Sequence, residues 1–159
     1  MHRIEFSKHE MNYLSDYIKF ADAKAGVIIG INALLIKEVF SKFQPKQLYT
    51  LQDFLGLLGV MVLLIGICFL ISVVLPRTNF KASKGIIFWD NIKKYDSPSD
   101  YISDIIALDE LKLSEKLAEQ NFYLAKTASR KYLFLVIGFW VSTVGALFSS
   151  CWFCFSYFI

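Results

Sequence analysis

Two apolar runs, Leu51–Pro76 and Tyr132–Ile159, decide what this chain can become. Each exceeds the roughly 20 residues that carry a helix across the hydrocarbon core of a bilayer. The first is interrupted only by Gln52 and Asp53 near its start, and the second holds no charge at all. With 55% hydrophobic residues, 16% aromatic residues and a mean hydropathy of +0.46, the chain is too apolar for a soluble domain. An all-α integral membrane protein is expected. A formal charge of +3 is too small to argue for nucleic-acid binding, which concentrates positive charge in a patch or stripe.

Residues 1–24 are charged but periodic, with Leu14, Ile18, Ala21 and Ala25 on one helical face and Tyr13, Tyr17 and Phe20 beside them. This predicts an amphipathic helix leading to the membrane. The following apolar stretch, Ala25–Ile36, is short, contains Asn32 and is bounded by Lys24 and Lys37. Extended through residue 43, with Lys37 and Lys42 snorkelling, it becomes long enough to cross. A cleaved signal is not expected, because Lys37-Glu38-Val39-Phe40 stands where a small-residue site belongs and four acidic residues precede the stretch. Three spans are therefore predicted, at 25–43, 51–76 and 132–158, with residues 1–24 and a helical layer at 77–131 on one side.

Lysine and arginine counts orient the spans. Residues 1–24 carry four, the 37–50 connection three and the 77–131 segment ten. Three spans put the first and last of these together, so that side is cytoplasmic and the N-terminus lies there. The three outer lysines keep open a two-span arrangement with a first helix lying on the surface.

Small residues recur at helical spacing in each span, which suits membrane helices associating through close backbone packing. The candidates for packing or gating are Asp22, Lys24, Gly26, Gly30 and Asn32 around the first span, and Gly138, Ser142, Gly145 and Ser149 in the last. Gly59 and Gly66 lie seven apart in the second. These stripes serve packing within one subunit or against other copies, and a homo-oligomer is expected. Asn32 in lipid needs a partner, and marks an interface or a water-lined path.

The polar segment is patterned. Residues 77–94 hold five basic residues and one acidic, 95–120 two basic and seven acidic, and 121–131 three basic and none acidic. Positive ends beside the bilayer follow from anchoring to anionic headgroups. Phe88 and Trp89 near Arg77, Lys81 and Lys84 add an anion site beside a stacking surface. Ser97-Pro98 reads as an N-cap with proline at the first helical position, and Ile102, Ile105 and Ile106 give that helix an apolar face. A further helix starts near Leu111–Ser114 with Leu113, Leu117, Leu124 and Ala128 in register. No proline or glycine occurs from Ser99 to Ile137, so it is expected to enter the last span unbroken.

Catalytic constellations and metal-ligand spacings are missing from the sequence, so an enzyme is not expected. His2 and His9 stand alone near the N-terminus, and Cys151-x-x-Cys154 sits in an apolar aromatic run where two buried small hydrophobes are the expectation.

The chain nevertheless resembles a known family. The residues that carry the likeness are Ala21-Asp22-Ala23-Lys24-Ala25-Gly26 with Asn32; Leu75-Pro76-Arg77-Thr78; Gly85-Ile86-Ile87-Phe88-Trp89 with Ile92; Leu117-Ala118-Glu119-Gln120; Leu124-Ala125-Lys126; and Arg130-Lys131-Tyr132. This ordered set, over roughly residues 15–145, resembles the transmembrane effectors of Pycsar, the bacterial pyrimidine cyclase system for antiphage resistance. The resemblance implies a membrane effector encoded beside a nucleotide cyclase, triggered by cyclic CMP or cyclic UMP to disrupt the membrane and abort infection.

It supplies no ligand map. A cyclic mononucleotide presents a phosphodiester anion, a ribose hydroxyl and a small base, so its site needs a cationic donor, a stacking aromatic and an amide or hydroxyl for the base edge. Arg77, Lys81, Lys84, Trp89, Gln120, Asn121, Tyr123, Lys126 and Arg130 supply these groups, and most lie near the membrane-proximal ends of the segment. The expected partners are thus a cyclic nucleotide messenger, its cyclase and the lipid bilayer, with no cofactor and no nucleic acid. Two alternatives stand beside this: the same device tuned to a cyclic dinucleotide or oligonucleotide, and a scaffold that binds a partner through its acidic middle.

Overall fold

The computed structural model describes residues 3–42, 51–75 and 85–158, and every regular element among them is a helix: α1 (Arg3–Lys42), α2 (Leu51–Val74), α3 (Trp89–Ile92), α4 (Pro98–Ile106) and α5 (Glu110–Phe158). The all-helical expectation is met. Asp53–Val74 in α2 and Glu110–Phe155 in α5 are long and apolar enough to cross a membrane. α1 does not meet that test, since Asn32 and the flanking lysines cut its apolar run. Contacts divide the chain into two compact units: Phe20–Leu75 with Arg130–Ile159, and Met1–Lys19 with Pro76–Ser129. α1 and α5 contribute residues to both.

In the apolar unit, α2 and α5 run antiparallel and very close. Gly56 faces Trp152, Gly59 faces Ser149, Leu63 faces Gly145, Gly66 faces Ser142 and Leu70 faces Gly138, each step forward on α2 matched by a step back on α5. A methyl group on Gly66 would lie 2.6 Å from Ser142 Oγ, and one on Gly145 would lie 2.9 Å from the Leu63 backbone nitrogen. Only glycine permits this approach. In lipid, where apolar exclusion gives helices no reason to associate, such contact is what holds them. Gly138, Ser142, Gly145 and Ser149 of the last span are all buried along this contact.

α1 packs on this pair through a different face from the one its glycines suggest. Ala21 and Ala25 are fully buried with Leu70, Val73 and Leu135, while Val39 is buried with Val60 and Trp152. These contacts set α1 antiparallel to α2 and parallel to α5. Gly26 and Gly30 are exposed, with nothing within 4 Å of where a side chain would begin.

In the polar unit, Leu117 and Ala128 of α5 and Ser7 of α1 are buried, with Leu14 and Ile18 half-buried. α4 starts as its sequence dictates: Ser97, extended at φ −144° and ψ 155°, accepts a hydrogen bond from Asp100 N through its hydroxyl, with Pro98 following. α5 begins at Glu110, just before the predicted start, because Asp109 Oδ1 accepts from Lys112 N at 2.7 Å and caps the first turn. Tyr95 and Tyr101 hold the short helices together. Their rings lie edge to face at 5.2 Å, Tyr95 donates to Asp104 at 2.7 Å, and Tyr101 donates to the Ile86 carbonyl at 3.2 Å. The apolar face of α4 stays open, with Ile102, Ile105 and Ile106 all exposed.

Candidate functional site

Two polar pairs in the apolar unit join α1 to α5. Lys131, only 5% exposed, donates to Asp22 Oδ1 at 2.5 Å. Asn32, 2% exposed, donates through Nδ2 to Ser142 Oγ at 2.7 Å. Ser149 Oγ donates back to the Gly145 carbonyl at 2.9 Å, which satisfies a buried hydroxyl without a second helix. Lys24, by contrast, is exposed and lies 4.2 Å over the Phe20 ring. Of the predicted packing set, Asp22, Asn32 and Ser142 thus meet partners across helices, Gly138, Gly145 and Ser149 line the α2 contact, and Lys24, Gly26 and Gly30 face outward.

Lys131 is the residue that sequence reasoning missed. It sits in a basic flank, and positive charge beside a bilayer already has an explanation. Yet the register of Leu117, Leu124 and Ala128, continued by three and then four residues, arrives at Lys131 and Leu135, so a lysine on the buried stripe was the available signal.

Five of the nine predicted ligand residues, all on α5, have described side chains. Arg77, Lys81 and Lys84 lie outside the described residues, as does the side chain of Trp89, whose backbone opens α3. Gln120 and Asn121 are half-buried; Asn121 Nδ2 donates to the Ser7 carbonyl at 2.9 Å, and its buried Oδ1 has no hydrogen-bond partner among the described residues. Tyr123, Lys126 and Arg130 are exposed. Asp90 is a second residue that the sequence did not flag: its carboxylate is 2% exposed and pairs with Lys93. The hydrogen bond to Asp104 raises the Tyr95 phenol above its usual pKa, because it stabilises the protonated hydroxyl beside a carboxylate.

Cys151 and Cys154 depart from the expected burial. Cys68, Cys151 and Cys154 are free thiols on exposed faces, and the last two border a shallow apolar groove of about 350 Å³ with Leu147, Ser150 and Phe155. An apolar run of membrane length presents its surface to lipid, so hydrophobicity there does not signal burial inside the chain.

The sequence profile of the Pycsar effector protein domain matches residues 6–158. A relative from Staphylococcus aureus, the Pycsar effector protein SaPycTM, is 40% identical over 153 residues, which cover 94% of this chain and 96% of the relative. No solved structure matches. With the profile spanning both units and a relative alike over nearly its whole length, the chain belongs to the Pycsar effector family and is an antiphage defence effector.

Proposed function

We propose that this effector binds cyclic CMP or cyclic UMP from a partner cyclase through its polar helical unit and then breaches the inner membrane through its apolar unit, so that the infected cell dies before phage are released. Membership of the Pycsar effector family carries the reading: the profile covers the polar and the apolar unit alike, so sensing and disruption are sought in one chain. Asn121 fits the base-reading role, since its buried amide oxygen is an acceptor with an unused lone pair.

Three spans with a cytoplasmic N-terminus fit the packing. From Ala21 to Val39, α1 keeps contact with the α2–α5 pair over 18 residues, about 27 Å of helix and close to the roughly 30 Å of hydrocarbon. Lys42 Nζ lies 5.0 Å over the Phe153 ring, an amphipathic contact suited to the end of a span. The open Gly26–Gly30 face suits packing against further copies.

The test is a dye-leakage assay on liposomes holding the purified protein. Cyclic CMP or cyclic UMP should release dye while cyclic dinucleotides should not. Leakage without ligand, or none with any nucleotide, overturns the reading. A thermal shift with the same panel separates a sensor from a scaffold, because a ligand bound only to the folded state raises its stability.

A further inference from the structure

The two seams inside the apolar unit are built from different chemistry. Between α2 and α5 the contact is close and interlocked: Gly59, Gly66, Gly138 and Gly145 leave no room for a side chain along the seam. Parting these helices forfeits dispersion contacts along the whole seam and uncovers only neutral polar groups, the Ser142 and Ser149 hydroxyls and the Trp152 indole. The α1–α5 seam carries the Asp22–Lys131 ion pair at one end and, ten residues further along α1, the Asn32–Ser142 hydrogen bond. That separation is about 15 Å, half the thickness of the hydrocarbon core.

From this contrast we infer that α1 is the movable helix of the apolar unit, and that Asp22–Lys131 and Asn32–Ser142 are the latch that holds it against α5 at rest. The inference rests on the proposed membrane-breaching function for its consequence, and on geometry for its residues. Withdrawing α1 strips partners from a lysine that is 5% exposed and an asparagine that is 2% exposed. In lipid these groups are costly without partners, so the parted state becomes accessible only as water enters the seam. A wetted seam lined by Lys131, Asp22, Asn32 and Ser142 is itself a polar path into the bilayer. Opening the latch and admitting water are then one event, and a ligand drives it by favouring the parted state.

The latch is tested with charge reversal in full-length protein whose Cys68, Cys151 and Cys154 are replaced by serine. Spin labels at Val27 and Val136 report the α1–α5 distance, and labels at Leu64 and Leu147 report α2–α5. Asp22→Lys or Lys131→Asp alone should lengthen and broaden the first distance, leave the second unchanged and raise nucleotide-independent dye leakage at least about tenfold, because two like charges then face each other across the buried seam. The double reversal restores the pair with opposite polarity and should return distance and leakage to within about twofold of the parent. Asp22→Asn and Lys131→Met, which leave size nearly unchanged, replace the reversals if these do not insert. Unaltered α1–α5 distances in the single variants overturn the latch, as does a double reversal that folds with parental helicity but stays open. The nucleotide response of the parent protein judges the proposed function separately.

Discussion

At Gly66 a single hydrogen in place of a methyl group decides how near two helices come. The position a Cβ would take is 2.6 Å from Ser142 Oγ and 3.2 Å from Ser142 N, so part of the obstruction is backbone that no rotamer change relieves. Gly66→Leu is therefore expected to destabilise the apolar unit by about 1–3 kcal/mol, the usual cost of overpacking. Gly26→Leu, where nothing lies within 4 Å, should be close to neutral within one chain. Thermal denaturation of both variants in detergent, followed by helicity, checks the contrast. An equal loss at both positions would mean that Gly26 is packed against another copy, and cross-linking would then reveal the oligomer. The sequence displays both residues as glycines at span-like spacing. The inward face of α1 was legible in Leu14, Ile18, Ala21 and Ala25; what the sequence did not display is that this face continues through Asn32 to Val39 and leaves Gly26 and Gly30 outside.

At the scale of elements, the signals that could be read were local ones. Ser97-Pro98 caps α4 and the absence of proline and glycine up to Ile137 lets α5 enter the last span unbroken, both set by neighbours in sequence. The ties between elements were hidden, since a tyrosine hydroxyl and an aspartate nine residues apart carry no recognisable motif. Tyr95 is the clearest case, with its hydroxyl donating to Asp104 in α4. Its phenol titrates above the usual value of about 10, first because of that hydrogen bond and then through burial and the charge of Asp104. The folded state thus favours the protonated hydroxyl. Its stabilising contribution is complete below the unfolded pKa and is lost as pH rises through the higher folded value. Subtracting the ultraviolet alkaline titration of Tyr95→Phe from that of the parent should isolate a component with a midpoint above about 10. A midpoint at or below that value would mean that the bond to Asp104 is not kept in solution. The ligand candidates share the same difficulty: Asn121 reads as one more polar residue on a helix until its amide is found spanning to Ser7.

For the whole molecule, the proposed arrangement of three crossings draws on charge counts for its orientation and on packing for its first span. Ten basic residues at 77–131 and four at 1–24 assign both segments to the cytoplasm if three helices cross. Contacts along α1 from Ala21 to Val39 lay that helix beside two others of membrane-crossing length, antiparallel to α2 and parallel to α5. A helix lying flat on the bilayer keeps no such company through the depth of a span. The two arrangements differ most at the N-terminus: three crossings hold it inside, whereas two crossings with the same cytoplasmic 77–131 segment put all of residues 1–50 outside. Lys8, Ser41 and Glu115 are exposed positions on the three parts concerned. With each changed singly to cysteine in the serine-replaced background, a membrane-impermeant maleimide applied to intact cells stripped of their outer membrane should label Ser41→Cys alone. Lys8→Cys and Glu115→Cys should react only after the inner membrane is permeabilised. Labelling of Lys8→Cys before permeabilisation would remove α1 from the set of spans, and with it the reason that Asn32 and Lys131 need partners inside the bilayer.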